Sequence, residues 1–502
     1  MEYVFSALHF LVLPQTLIFC LFGTLAGLIL GAIPGLSGGM AIIICLPLTF
    51  GMDPNLAIAV LMSIYIGGIS GGYIGSILLG IPGTTNSIAT VYDGYEFTKQ
   101  GRPAKALSVA ATANFFGTAP SLIVAMFLSQ VIARWAVKLG PAAYFSLCLF
   151  AIVLVISLSK EDIAKGMIAM ALGLLPTLIG ISPISSTKRF TYGIIHLQGG
   201  FSLACVMIGL FAGTTILIEY AKGDRVNGSF ADVKIEGFCL KLKDIGHSIV
   251  NIIRSFIIGL FVGFLPGMGG TISNVTAYSI AKNTAKHPEE FGKGNLDGVW
   301  APEVANNASI GGAVIPMIAL GIPGDATTAL LLSAMTIQGL TVGPLLFTTQ
   351  TSFVYLIFIA GIFAAAICFL SQIFGMKLFP SIFKIPYHFL YPAILVCSFM
   401  GAYVSNYSYV EMGFALIFIL VGIFMRYFDI PSSPFILSFV LGPMLEKNFR
   451  NAVSYALNGY KVFYTDRTAF VLLFITFSII LYSVLRDLFT RKRKLKVDTQ
   501  NK

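Results

Sequence analysis

Long apolar stretches follow one another along almost the whole chain, and short polar stretches separate them. A helix that crosses a membrane needs about 20 consecutive, mostly apolar residues. Stretches that approach this length lie near residues 15–33, 55–81, 107–133, 141–158, 164–182, 203–220, 249–265, 304–322, 326–347, 352–376, 389–404, 410–427, 431–445 and 468–485. Several are short or interrupted by Gly and Pro. The pattern therefore predicts an all-α polytopic membrane protein with roughly 10–13 spans and additional re-entrant pieces.

The composition supports a membrane protein and excludes soluble classes. Hydrophobic residues make up 56% of the 502 residues and charged residues only 11%, whereas a soluble protein carries about 25% charged residues. The 42 Phe residues exclude a disordered chain. The seven Cys residues form no CxxC pair, and the five His residues show no metal-binding spacing. We therefore expect no disulfide framework, no enzyme and no cofactor.

The net charge of +10 is concentrated near the end of the chain, where residues 486–502 hold seven basic residues against two acidic ones. This segment follows the apolar stretch Ala469–Leu485 directly. Such an order is typical of a last span that ends on the cytoplasmic side. A patch that binds anionic lipid or nucleic acid is the alternative, but no aromatic residues or second basic face support it. We predict a basic cytoplasmic tail over residues 486–502 and no nucleic-acid partner.

Two motifs occur twice, in the same order. In the first motif, GLILGAIPGLSGG resembles GLFVGFLPGMGG, and the matched pairs are Gly27 with Gly259, Gly31 with Gly263, Pro34 with Pro266 and Gly35 with Gly267. The second motif, LGIPG, occupies Leu79–Gly83 and again Leu320–Gly324. An ordered pair of matches indicates an internal duplication. We predict a first membrane half over residues 1–221, a polar linker over 222–248 and a second membrane half over 249–485.

The positions of Lys and Arg indicate that the two copies are inverted. Residues 36–80 contain no basic residue, whereas the equivalent stretch of the second copy contains Lys282, Lys286 and Lys293. After the second motif the order reverses, because basic residues follow the first copy and residues 338–350 contain none. Basic loops favour the cytoplasm. The sequence therefore predicts an inverted repeat with Pro-Gly-broken re-entrant hairpins, an arrangement typical of secondary transporters.

The second motif carries candidate binding chemistry. A Pro-Gly step breaks a helix, and broken backbone in a membrane is tolerated only against protein or a water-filled cavity. Polar side chains follow each break and are expected to cap a new helix, whose free N–H groups suit a carboxylate. Ordinary caps and packing glycines are the alternative. The predicted substrate-binding residues are Pro82, Gly83, Thr84, Thr85, Asn86, Ser87, Pro323, Gly324, Asp325, Thr327 and Thr328.

A second polar cluster carries candidate ion chemistry. Its hydroxyl and amide groups offer hard oxygen ligands suited to Na⁺, although hydrogen bonding between helices is an equally good interpretation of the Asn pair. The predicted ion-binding residues are Ser37, Thr271, Ser273, Asn274, Asn306 and Asn307. Glu303 and Asp325 could instead carry a proton. Asp93, Glu219 and Glu411 lie at span edges and are predicted to be solvated.

These motifs resemble the large membrane subunit of the tripartite tricarboxylate transporters. The similar stretches are Gly31–Pro54, Gly80–Ala106, Gly263–Tyr278, Phe291–Asn307 and Gly321–Pro344. The resemblance implies a secondary transporter that works by alternating access in the bacterial cytoplasmic membrane. Its expected partners are a small membrane subunit and a periplasmic binding protein that delivers a di- or tricarboxylate or a related organic acid, and an Na⁺ or H⁺ gradient drives uptake. A gated anion channel without ion coupling is the alternative function.

Overall fold

The computed structural model describes residues 2–49, 51–158, 163–222, 235–340, 342–384, 387–455 and 459–500. These residues are almost entirely helical. The helices before residue 223 are α1 (Glu2–Val12), α2 (Pro14–Ala32), α3 (Gly38–Cys45), α4 (Pro54–Ser70), α5 (Gly72–Leu79), α6 (Thr90–Lys99), α7 (Pro103–Ala136), α8 (Pro141–Leu158), α9 (Ile163–Thr177), α10 (Leu203–Met207) and α11 (Thr214–Lys222). A π-helical segment, Ile208–Gly213, joins α10 to α11, and strands β1 (Gly180–Ile181) and β2 (Lys188–Arg189) pair antiparallel.

The helices after residue 234 complete the chain. They are α12 (Leu242–Phe264), α13 (Gly269–Thr284), α14 (Asp297–Leu320), α15 (Ala326–Ile337), α16 (Leu346–Thr349), α17 (Thr351–Gly375), α18 (Phe379–Ile382), α19 (Tyr387–Asn406), α20 (Tyr409–Tyr427), α21 (Ser432–Tyr455), α22 (Val462–Thr465) and α23 (Arg467–Gln500). Helix α23 continues beyond the predicted start of the basic tail at residue 486, and residues 501 and 502 of that tail lie outside the described residues.

Within the described ranges, 10 helical segments are long and apolar enough to cross a membrane. They are Pro14–Ala32, Pro54–Leu79, Pro103–Ala136, Pro141–Leu158, Leu203–Ala221, Leu242–Phe264, Thr351–Ile382, Phe389–Asn406, Tyr409–Tyr427 and Arg467–Arg486. The predicted all-α polytopic membrane class is confirmed. Two predicted spans, near 164–182 and 326–347, form the shorter helices α9 and α15. Helix α15 ends early because Gly339 and Gly343, both with positive φ, follow it.

The helices group into two compact units. The first unit comprises residues 1–134 and 204–419, and it contains both copies of the two repeated motifs. The second comprises residues 135–203 and 420–502. These units are not the two halves predicted on either side of residues 222–248. That division describes the internal repeat, and it stays a prediction. Residues 223–234 of that linker lie outside the described residues, and its last part already belongs to α12.

In the first unit, α2 crosses α4 and α12 crosses α14 through equivalent glycines. A Cβ atom on Gly31 would lie 2.2 Å from the carbonyl oxygen of Gly68, and one on Gly263 would lie 2.4 Å from that of Ser309. Gly68 and Ser309 hold the same place in their repeats, since each lies twelve residues before the first glycine of its GIPG motif. Small residues permit such close backbone contact between membrane helices. The two copies therefore build the same crossing.

The helix breaks are also equivalent. Helix α5 ends at Gly80 with φ of 70°, and α14 ends at Gly321 with φ of 73°. This left-handed conformation stops a helix and favours glycine. Helices α2 and α12 likewise end before Gly35 and Gly267, whose φ values are 89° and 77°. The structure confirms the Pro-Gly-broken helices, whereas the opposite membrane orientation of the two copies stays a prediction.

The second unit consists mainly of α8, α9, α21 and α23. Gly173 on α9 is in close contact with the carbonyl group of Phe435 on α21. At the end of β2, Arg189 forms an ion pair with Glu446 on α21 at 2.5 Å, and Arg450 is 3.0 Å from the same carboxylate. These charges attach the β-hairpin to α21.

Candidate binding site at the helix breaks

Broken helices from both repeats meet at the N-terminus of α13. A Cβ atom on Gly269 would lie 2.9 Å from the Cβ atom of Asp325. A Cβ atom on Gly270 would lie 2.3 Å from Oδ1 of Asn306 and 2.7 Å from Nδ2 of Asn86. Adjacent residues of α13 thus touch the polar segments that follow both GIPG motifs. We call these segments, residues 84–87 and 325–328, the first tip and the second tip.

Each repeat places its first broken helix against the tip of the other repeat. The Thr271 hydroxyl at the start of α13 donates a hydrogen bond to Oδ1 of Asn86 at 2.7 Å. At the start of α3, a Cβ atom on Gly39 would lie 3.6 Å from the Thr327 hydroxyl. Thr271 corresponds to Gly39 in the first motif, and Thr327 corresponds to Asn86 in the second. The two contacts are therefore equivalent in the repeat.

The second tip is capped by its own side chain. Asp325 accepts hydrogen bonds from the backbone N–H of Thr328 at 2.7 Å and from its hydroxyl at 2.8 Å. The Asp325 N–H donates to the same hydroxyl at 2.8 Å. This is a capping box. A carboxylate of the protein therefore already occupies part of the N-terminus of α15.

The first tip differs from the expected capped helix. Thr84 holds the position of Asp325, but its hydroxyl is buried and has no hydrogen-bond partner among the described residues. Only the short 3₁₀ turn Thr85–Ser87 follows, and Ser87 bonds locally, to the Thr84 carbonyl at 3.0 Å. The expectation of a capped helix immediately after Pro82-Gly83 was wrong here, because Ser87 closes a tight turn instead.

Helix α6, which follows the first tip, receives its cap from the other repeat. Oδ1 of Asn274 accepts a hydrogen bond from the backbone N–H of Ala89 at 2.9 Å, just before α6 begins at Thr90. The amide group of Asn274 is 3.4 Å from the Thr90 hydroxyl. Asn274 is fully buried. It therefore connects α13 of the second repeat to α6 of the first.

Helix α14 carries two polar side chains with unpaired atoms. Glu303 is fully buried, and its Oε1 accepts a hydrogen bond from the Thr90 hydroxyl. Its Oε2 has no partner in the part of the chain that the structure describes, and neither amide atom of the fully buried Asn306 has one. Residues three apart lie on the same helix face. Unpaired buried polar atoms are costly, so their proximity marks a candidate ligand site.

Asn307, the next residue, is by contrast fully hydrogen-bonded. Its Nδ2 donates to Oδ1 of Asn114 at 2.6 Å and to the Glu303 carbonyl at 3.0 Å. Its Oδ1 accepts from Ser70 at 2.8 Å and from Thr118 at 3.2 Å. These four bonds use the whole capacity of the amide. Asn307 therefore joins α14 to α4 and α7. Hydrogen bonding between helices was the alternative to ion binding for this residue.

The remaining predicted ion-binding residues bond mostly within their own helices. Ser37 caps α3 by accepting from the Met40 N–H at 3.2 Å, and Ser273 donates to the Gly269 carbonyl at 2.9 Å. Asn306 is thus the predicted ion-binding residue whose side chain has no partner among the described residues.

Asp93 was expected to be solvated, but it is fully buried. Its Oδ1 accepts hydrogen bonds from the backbone N–H groups of Gly292, Gly294 and Asn295 at 2.9, 3.0 and 2.8 Å, and its Oδ2 accepts from the Tyr278 hydroxyl at 3.0 Å. The loop before α14 therefore wraps around a carboxylate from α6. Glu411, expected to be solvated too, is also buried.

Replacing Asp93 with Ala is expected to lower the free energy of unfolding by about 3 kcal/mol, because four hydrogen bonds to a buried carboxylate are lost. The measurement is thermal unfolding of the purified protein in detergent. Glu289→Gln is the control, because this side chain lies exposed in the same loop. A midpoint shift for Asp93→Ala no larger than that of the control would contradict the structural role.

Comparisons with known proteins indicate the family to which the chain belongs. A model of the tripartite tricarboxylate transporter TctA family matches residues 17–437. The chain is 29% identical over 485 residues to an uncharacterized 52.8 kDa protein in the TAR-I ttuC' 3' region of Agrobacterium vitis, covering 97% of this chain and 96% of the relative. It is 30% identical over 240 residues to an uncharacterized protein in the TAR-II ttuC' 3' region of the same organism, covering 48% of this chain and 99% of the relative. No solved structure matches the chain.

The family match covers far more than half of the chain. It includes both pairs of repeated motifs, both tips and the polar residues of α13 and α14. The resemblance of the motifs is therefore confirmed, and the protein is a multi-pass membrane subunit of a transporter. The chain belongs to the tripartite tricarboxylate transporter TctA family.

Proposed function

We propose that the protein imports a di- or tricarboxylate or a related organic acid across the bacterial cytoplasmic membrane. A periplasmic binding protein delivers the substrate, and a small membrane subunit completes the transporter. Membership of the family supports this assembly. The observation that carries the transport role is the meeting of broken helices from both repeats at one place. There, buried polar atoms of Asn306 and Glu303 have no partner in the described ranges.

The repeat supports a mechanism of alternating access. The crossings of α2 with α4 and of α12 with α14 are equivalent, so each repeat can adopt the conformation of the other. If the copies are inverted in the membrane, as the basic loops predict, this exchange moves the opening of the site from one side to the other. The same charge distribution supports a cytoplasmic C-terminus.

We further propose that an Na⁺ or H⁺ gradient drives uptake through Glu303. A buried carboxylate without a basic partner is costly unless a proton or a cation neutralises it. Glu303 lies three residues from Asn306 on α14, so an ionised Glu303 would repel a carboxylate substrate bound beside Asn306. Binding of the cation removes this repulsion. Substrate and cation therefore bind together and cross together.

Thr84→Ala and Thr327→Ala are expected to raise the substrate concentration at half-maximal uptake about tenfold or more, since each removes a hydroxyl from a tip. The measurement is uptake of labelled carboxylates into proteoliposomes that contain the partner subunits. Thr336→Ala is the control, because the exposed Thr336 hydroxyl bonds only to the Leu332 carbonyl of its own helix. Unchanged uptake in both tip variants would refute the assignment of the tips. Uptake that neither saturates nor needs the binding protein would indicate a channel instead.

A further inference from the structure

Four helices, α3, α6, α13 and α15, begin at the candidate site, and their first N–H groups need partners from elsewhere. In three of them a side chain supplies one. Ser37 caps α3, Asp325 caps α15, and Asn274 accepts from the residue before α6. At α13 the N-cap residue is Met268, and no side-chain cap is present there among the described residues. Among these four helices, α13 is therefore the one without a side-chain cap, and the Asp325 side chain that caps α15 lies beside the first residue of α13, Gly269.

The first residues of α13 suit a close approach of an anion. Gly269 and Gly270 have no side chain to cover the backbone, and the sixteen-residue helix directs its positive dipole end toward this point. Asn306 provides an independent indication of a ligand. It is fully buried, both of its amide atoms lack partners among the described residues, and it is in contact with Gly270.

A second amide group completes the arrangement. Oδ1 of Asn86 accepts the hydrogen bond from Thr271, which fixes the orientation of the Asn86 amide. Its Nδ2 is consequently directed toward Gly270, where a Cβ atom would lie 2.7 Å away. Asn86 and Thr271 are only partly buried, so a ligand can reach this place. The Asn86 amide and the backbone N–H groups are donors on neutral groups, which is the set that a carboxylate needs. Oδ1 of Asn306 faces Gly270, but no hydrogen bond among the described residues fixes this amide, so a rotation by 180° turns its Nδ2 toward the same place.

We infer that a carboxylate group of the substrate binds at the N-terminus of α13. The backbone N–H groups of Gly270 and Thr271 and the amides of Asn86 and Asn306 hold it. This inference rests on the proposed function and names the atoms that recognise the substrate. It assigns Asn306 to the anion, whereas the sequence pattern alone placed this residue among the ligands of a cation.

The test uses the complete transporter in proteoliposomes with labelled citrate, succinate and benzoate as probes. Asn306→Asp keeps the shape of the side chain but adds a negative charge. It is expected to raise the half-saturating concentration of the transported probe at least about tenfold. Gly270→Ala places a methyl group against the amides of Asn306 and Asn86, which must shift away from the N-terminus of α13, and is expected to have a similar effect. Size-exclusion chromatography identifies any variant that does not fold. If Gly270→Ala fails this check, the isosteric Asn306→Asp variant is used alone for the test.

Tyr65→Phe is the matched control. Tyr65 precedes Gly80 by fifteen residues, as Asn306 precedes Gly321, and its buried hydroxyl also lacks a partner among the described residues. Loss of this hydroxyl is expected to leave the half-saturating concentration within about twofold, which is a change of about 0.4 kcal/mol. The reason is that the Tyr65 hydroxyl is not among the groups proposed to hold the carboxylate.

The outcomes distinguish the two levels of the proposal. Wild-type uptake with unchanged half-saturation in Asn306→Asp and Gly270→Ala would overturn this inference alone. A lower half-saturating Na⁺ concentration in Asn306→Asp, with substrate affinity unchanged, would also overturn it and assign Asn306 to a cation. Failure of the wild-type transporter to take up any of the probes would contradict the proposed function and this inference together.

Discussion

Replacing Glu303 with Gln is expected to abolish uphill accumulation of the substrate, while exchange of labelled for unlabelled substrate across the membrane persists. Gln has the size of Glu and can still accept the hydrogen bond from Thr90. It has no charge for a proton or a cation to neutralise. Substrate can then bind without the coupling ion, and the gradient of that ion no longer drives transport.

The size of the effect follows from the membrane potential. The potential acts on the net charge that crosses, so the cations must first balance the negative charges of the carboxylate. Each further positive charge that moves through 100 mV contributes about 2.3 kcal/mol, which corresponds to roughly 50-fold accumulation. The measurement compares substrate concentrations inside and outside proteoliposomes at imposed potentials and at imposed Na⁺ or H⁺ gradients. Whichever gradient drives the wild-type transporter identifies the coupling ion.

Glu96→Gln serves as the control for Glu303→Gln. Glu96 lies on α6 and pairs with Lys99 near the surface, so its loss removes a carboxylate without touching the unpaired atoms of α14. Accumulation is expected to remain at the wild-type level. Full accumulation by Glu303→Gln would show that the coupling ion binds elsewhere, with Asp325 as the next carboxylate to test.

The helix breaks could be predicted from the sequence because their cause is local. Gly80 and Gly321 adopt a left-handed conformation that few other residues tolerate, and a proline follows each by two residues. Such signals do not depend on distant parts of the chain. The duplication was visible for a different reason: both copies need glycine at the same helix crossings.

The roles of Asn306 and Asn307 could not be distinguished from the sequence. The two residues are identical and adjacent, but consecutive side chains on a helix point about 100° apart. Asn307 faces α4 and α7, where Ser70, Asn114 and Thr118 supply three of the four hydrogen bonds of its amide. Asn306 faces Gly270, and its amide has no partner in the part of the chain that the structure describes. Only the packing around α14 determines which neighbour each amide meets.

Asp93 illustrates a long-range effect of the same kind. The N–H groups that surround its carboxylate come from residues about 200 positions later in the chain. A carboxylate at the end of an apolar stretch predicts a solvated group, and no local pattern contains the loop that covers it. The glycines at 292 and 294, both with positive φ, were the available signal for an unusual loop.

Replacing Gly263 with Ala is expected to destabilise the protein by about 3 kcal/mol, because the added methyl group must separate α12 from α14. Its Cβ atom would lie 2.4 Å from the Ser309 carbonyl oxygen and 2.6 Å from the Ser309 Cα atom. Both are backbone atoms, so a rotamer change cannot relieve the contact. The equivalent substitution Gly31→Ala is expected to have a similar cost, because its Cβ atom would meet the Gly68 carbonyl.

Helix α12 itself contains the matched control. Gly246 lies near its start, and a Cβ atom there would meet no atom within 4 Å. Gly246→Ala is therefore expected to leave stability unchanged or to raise it by up to about 1 kcal/mol, as Ala favours a helix over Gly. Unfolding midpoints and the yield of monodisperse protein measure both effects. If Gly263→Ala matched Gly246→Ala, the close crossing of α12 and α14 would be refuted; if Gly31→Ala alone were tolerated, the two crossings would not be equivalent.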